Sequence, residues 1–161
     1  MKKTIVSIFI LTCLLLISSI TFAADSGSCK RVDYGDYSIY RIDWSTDDGT
    51  FDKPTTIAGG MCEPVSGIII SVQFDGGAAN QPDSSYSVYL YTKNFNFDYL
   101  AGTGATLDGT TRTAAANVRT PLTTDGSYLV VPGFELSLYV SGPGAGTRTG
   151  TVYVTVKDFD K

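Results

Sequence analysis

The sequence predicts an all-β protein: an antiparallel β-sandwich or jelly-roll-like fold of about eight short strands behind an N-terminal signal peptide. Three observations carry this. Glycine, threonine and serine punctuate short apolar runs along the chain. Several of those runs alternate apolar and polar residues with a period of two, the signature of a half-buried strand. No stretch shows the 3.6-residue period of an amphipathic helix, and Ala114 to Ala116 is too short to nucleate one.

The chain opens with Lys2-Lys3 and an apolar run from Ile5 to Ile20, and Thr21-Phe22-Ala23 supplies a cleavage site. Residues 1–23 are expected to be a signal peptide and 24–161 one secreted or periplasmic domain. The apolar run falls short of the ~20 residues of a membrane span, and no basic stop-transfer cluster follows it. No membrane span is therefore expected after cleavage. Thr12 is a poor residue before a lipidated cysteine, and the apolar run continues past Cys13, so a lipoprotein is disfavoured. Cys13 leaves with the signal. Cys29 and Cys62 remain, and in an oxidising compartment they most simply form a disulfide. It closes a loop of roughly 30 residues, for which chain entropy assigns about 3–4 kcal/mol. A redox pair would want CxxC spacing, which is absent.

Tyr37 to Trp44 reads as the first strand, followed by turn chemistry at Asp47-Asp48-Gly49. Lys53 to Ile57 reads as a short edge strand, since Pro54 cannot donate to a ladder. Val65 to Phe74 contains Gly67-Ile68-Ile69-Ile70, apolar on both faces, and is expected in the middle of the core. Asp75 to Ser85 is a polar loop. In Ser85 to Thr92, Tyr86, Val88 and Leu90 share one face and Ser87, Tyr89 and Tyr91 the other. Lys93 to Asn96 is expected to turn, Phe97 to Ala101 to form a short strand, and Gly102 to Thr113 to loop. Phe134 to Val140 and Val152 to Val156 read as the two closing strands. Gly142 to Gly146 is then their hairpin loop.

The chain has no histidine, which excludes Ser-His-Asp and Cys-His catalysis and His-containing zinc sites. Its formal net charge of −4 becomes more acidic once Lys2 and Lys3 are removed, which argues against nucleic acid as a partner. A glycosidase needs two carboxylates facing each other across a sugar. The only glutamates are Glu63 and Glu135, and most aspartates sit in turns. No catalytic residue is expected. Asp43, Asp47 and Asp48 cluster near Ser45 and form a candidate calcium loop, since hard cations take alternating oxygen ligands. The bland reading is a turn whose aspartates bond their own backbone. Gly142 to Gly150 lacks the Gly-Lys-Ser/Thr ending and following helix of a phosphate cradle. Tyr89, Tyr91, Tyr139 and Tyr153 each lie opposite the aliphatic residues of their strand. If those strands share a sheet, they form a stripe suited to a protein contact or to sugar stacking; ordinary cross-strand packing is the alternative.

The run Tyr86-Ser-Val-Tyr-Leu-Tyr-Thr-Lys-Asn-Phe-Asn-Phe-Asp-Tyr-Leu-Ala-Gly102 resembles a strand–turn–strand element of small β-sandwich proteins from tailed-phage structural gene clusters. Asp98 and Leu100 match its pattern, and Asn96 stands at a position usually held by Gly. Ile42-Asp43-Trp44 resembles that family's first strand, and Val131 to Val140 with Gly150 to Val156 resembles its closing hairpin. The resemblance spans 37–156 and implies a virion-associated or assembly role rather than catalysis. This chain departs from it in its signal peptide, in the insertion Gly60 to Val65 and in Lys93-Asn94 at an acidic turn. The sequence thus leads to an exported, non-enzymatic module that contacts protein subunits or a cell-surface or virion component. The alternative is a carbohydrate- or calcium-dependent extracellular binding module.

Overall fold

Two antiparallel sheets pack their apolar faces onto one core in the computed structural model, which describes residues 25–46, 55–56, 62–77, 79–92, 95–109, 118–123 and 125–159. The expected signal segment and Ala114 to Ala116 lie outside these residues. The strands are β1 (Ser26–Tyr34), β2 (Tyr37–Thr46), β3 (Thr55–Thr56), β4 (Val65–Asp75), β5 (Ser84–Thr92) and β6 (Phe95–Asp98). After them come β7 (Leu107–Asp108), β8 (Val118–Arg119), β9 (Leu129–Phe134), β10 (Leu136–Ser141) and β11 (Arg148–Asp158). The first sheet has the order β1-β2-β11-β4, with β8 and β9 sharing the far edge of β4. The second has the order β3-β10-β5, with β6 and β7 sharing the far edge of β5. The all-β sandwich expected from the alternation is the fold observed.

Period-two patterning explains which side chains enter the core. Tyr40, Ile42 and Trp44 of β2 and Val152, Val154 and Val156 of β11 face inward from the first sheet. Tyr86, Val88 and Leu90 of β5 and Leu136, Leu138 and Val140 of β10 meet them from the second. Trp44 approaches Tyr86 across the core, with ring centroids 6.2 Å apart.

Besides placing the strand expected at Phe97 to Ala101 at Phe95–Asp98, and a strand, Leu107–Asp108, within the expected loop, the structure corrects the sequence reading at four further places. The first strand is β1, not β2: Ser26–Tyr34 pairs along its whole length with β2 through a two-residue turn at Gly35-Asp36. Gly35 has φ +69°, the positive angle that a Gly-X hairpin turn needs at its first central position. Apolar alternation could not flag β1, because Cys29, Arg31 and Asp33 occupy alternate positions on it. Second, β4 is not buried on both faces; Ile68 and Ile70 are only half-buried. Ile70 is the extra residue of a β-bulge, since Ile69 pairs with Val156 and Ser71 with Thr155. The bulge lets Ile69 and Val72 both point inward despite their odd spacing. Third, Phe134 to Val140 is not one strand. The chain leaves the first sheet at Phe134 and enters the second at Leu136, so Glu135 is a crossover. Fourth, Gly142 to Gly146 is no hairpin tip, because β10 and β11 belong to different sheets.

Another inter-sheet connection, between β4 and β5, is tied to that segment. Asp83 N–H donates to the Pro143 carbonyl at 2.9 Å. Arg148 donates to the Gln81 carbonyl at 3.0 Å and to Asp83 Oδ1 at 2.9 Å. At the opposite flank of β5, Asp98 organises a tight turn. Its Oδ1 accepts from Leu90 N–H (3.1 Å) and Leu100 N–H (3.0 Å), and its Oδ2 from Gly102 N–H (3.0 Å). That bonding gives a physical reason for the Asp-x-Leu pattern at this turn.

The expected disulfide is present. Cys29 and Cys62 are bridged with Cα atoms 5.1 Å apart and a sequence separation of 33. Cys62 is buried and its N–H donates to the Leu136 carbonyl at 3.3 Å. The bridge therefore joins the edge strand of the first sheet to a segment bonded to β10 of the second.

Two outcomes test this core. A Cβ at Gly150 would lie 2.5 Å from Trp44 Cζ2 and 2.9 Å from the Asp75 carbonyl oxygen, so Gly150→Ala is expected to cost about 1–3 kcal/mol in chemical denaturation. Burial pushes the Tyr86 phenol up to about 12, above the ~10 of an unfolded tyrosine. The stability held by the neutral phenol is complete below pH ~10 and is lost as pH rises toward 12. Denaturant midpoints measured across that window are expected to fall in the wild type and to fall less in Tyr86→Phe.

Candidate functional site

On the outer face of the second sheet, Tyr89 and Tyr139 are direct cross-strand partners, and Tyr91 sits two residues along β5. Their rings are in mutual contact. Centroids are 5.3 Å apart for Tyr89–Tyr139, 5.9 Å for Tyr89–Tyr91 and 6.2 Å for Tyr91–Tyr139. Tyr89 and Tyr91 are nearly parallel, at 11°. Ser87, Ser137 and Ser141 share their register rows and frame the cluster. Tyr139 is only 8 % exposed, whereas Tyr89 and Tyr91 are partly buried. Burial raises the phenol pKa of both Tyr91 and Tyr139, so both remain hydroxyl donors at neutral pH.

Tyr153 does not join this cluster. It lies on β11 of the first sheet, beside Arg41 and Gln73. The proposed stripe therefore divides into three tyrosines on one sheet and one on the other, because β11 and β10 are not sheet neighbours. Asp43 shares the Tyr153 face and is committed to neighbours. Its Oδ1 accepts from Arg41 Nε at 3.0 Å and Thr151 Oγ1 at 2.6 Å. Asp47 and Asp48 lie outside the described residues, and among the described residues no group of three acidic or cysteine side chains converges on a metal position.

A second aromatic surface was not anticipated. Tyr34 and Tyr37 flank the β1–β2 turn and stack with centroids 5.4 Å apart. They are exposed by 51 % and 40 %, with Val32 and Phe159 also exposed. The available signal was Tyr34-Gly35-Asp36-Tyr37, a Gly-X turn between aromatics, but no apolar alternation on β1 called attention to it.

The inward face of β1 carries polar groups instead of apolar ones. Arg31 Nε donates to Asp33 Oδ1 at 2.7 Å and Arg31 Nη2 to Ser38 Oγ at 3.0 Å. The fully buried Ser38 hydroxyl lies 2.6 Å from Asp33 Oδ1 and 2.7 Å from Asp158 Oδ2, and donates its single proton to one of them at a time. The Arg31 guanidinium stands 5.6 Å above the Tyr40 ring. Its pKa is raised, chiefly by the hydrogen bond to Asp33. Beside this network is a cleft of about 370 Å³ lined by Cys29, Lys30, Arg31, Asp33, Tyr40 and Glu63.

No family model, curated protein or solved structure is similar to this chain. The fold and its surfaces define a disulfide-linked antiparallel β-sandwich with aromatic patches on both outer faces.

Arg31→Ala would remove the donor to Ser38 and the guanidinium that stands 3.5 Å from the buried Asp158 carboxylate. The expected loss is about 2 kcal/mol, read as a lower urea midpoint with an unchanged m-value.

Proposed function

We propose that this protein is an exported, non-enzymatic contact module that docks onto a protein subunit or a cell-surface or virion component through the outer face of β5 and β10. The observation that carries this reading is the Tyr89–Tyr91–Tyr139 cluster framed by three serines. Tyrosine offers large, rigid contact area with a polar tip, and serine supplies adaptable hydrogen bonding; antibody-type recognition surfaces favour that pairing. The Cys29–Cys62 bridge fits an oxidising extracytoplasmic compartment, in line with the Lys2-Lys3 and Ile5 to Ile20 signal pattern. The resemblance read from Tyr86 to Gly102 points toward an assembly role of the same kind. A second reading, a carbohydrate-binding face, draws on the near-parallel Tyr89 and Tyr91 rings, which suit stacking against a sugar.

A photo-crosslinking residue placed at Tyr91 in the producing cells tests the choice. A discrete protein adduct, lost when Tyr89 is changed to Ser, is the expected result. Adducts to glycan alone would move the assignment to the second reading, and the absence of any adduct would remove both.

A further inference from the structure

We propose that the cleft between β1 and the Cys62–Glu63 segment binds a neutral, polyhydroxylated molecule of monosaccharide size. Its volume of about 370 Å³ falls at the small end of the range for small-molecule sites. Its walls carry a donor, Arg31, and acceptors, Asp33 and Glu63, within one space, and Arg31 already donates to Asp33; Lys30 lines it only from the strand that carries its side chain to the outer face. An inorganic anion would meet Arg31 but also the repulsion of Asp33 and Glu63. Among the described residues no three acidic or cysteine side chains converge on a metal position. A molecule whose hydroxyls both donate and accept suits both kinds of group together.

Tyr40 supplies the second, independent observation. It is 1 % exposed, borders the cleft, and its hydroxyl has no hydrogen-bond partner among the described residues. A buried hydroxyl left unpaired is costly, so a ligand oxygen at this position has a defined purpose. Burial also raises the phenol pKa, which keeps the proton available for donation. The disulfide forms one wall and holds Glu63, the residue after Cys62, against β1. The site is thus preorganised by a covalent bond rather than assembled on binding. It is separate from the Tyr89–Tyr91–Tyr139 face, so either assignment can fail without the other.

Isotope-labelled protein titrated separately with glucose, galactose, N-acetylglucosamine and inorganic phosphate tests the proposal by NMR. The expected result is a saturable shift of the Lys30, Arg31 and Glu63 amides with at least one sugar and none with phosphate. Tyr40→Phe should keep its thermal stability while binding about tenfold more weakly, the loss of one hydrogen bond to the ligand. The exposed Glu63→Gln should weaken binding without threatening the fold, and Tyr91→Ser should leave it unchanged. No saturable shift with any sugar, a response to phosphate alone, or unchanged affinity in both Tyr40→Phe and Glu63→Gln would overturn the site.

Discussion

One extra residue in β4 decides how both sheets share a core. Without the bulge at Ile70, the strand that presents Val65 and Ile69 inward would turn Val72 and Phe74 to solvent, because a one-residue slip exchanges the two faces of a strand. The bulge restores the phase, so β4 stays paired with β11 along its length while its whole inner row reaches Tyr86, Leu90 and Leu138 as part of one core. The cost is placed outside, where Ile70 and Ser71 follow one another on the solvent side. Packing in the interior thus determines which apolar residues remain on the surface.

The two outer faces that result are chemically different. The second sheet displays tyrosine and serine in a compact block. The first sheet runs from Tyr34, Tyr37 and Val32 at one end, through Lys30, Arg41 and Tyr153, to Ser26, Ser45 and Thr149 at the other. Its outermost strand, β1, has Lys30 at its midpoint. A charge in that place discourages edge-to-edge pairing with another chain, since an antiparallel copy centred there would set lysine against lysine. Contact through a face is favoured over contact through this edge.

Much of the fold was legible because β5 and β11 alternate, and in each the alternating apolar set is the one that enters the core. The disulfide was legible from counting cysteines once Cys13 was assigned to the expected leader. What escaped the sequence were features that depend on partners distant along the chain. β1 is held by backbone pairing to β2, by Arg31 reaching Ser38 and Asp158, and by Asp33 accepting from Ser38, so its hydrophobicity carries no signal. The crossover at Glu135 is invisible to periodicity, since Phe134 and Leu136 keep the alternation although they join different sheets. The same limit applied to the site. Tyr139 and Tyr153 look equivalent in sequence, and only the strand order separates them.

The strand order also bears on when the fold can form. β11 lies between β2 and β4 and contributes Val152, Val154 and Val156 to the core, yet it follows both of them in the chain by more than seventy residues. As the polypeptide emerges from its amino end, β2 and β4 must wait without a common neighbour, and neither sheet edge can close. Nucleation that depends on such distant pairing is slow. A nascent chain with this order stays open until its final strand arrives, which leaves it threadable for the longest part of its synthesis and exposed to aggregation over the same interval.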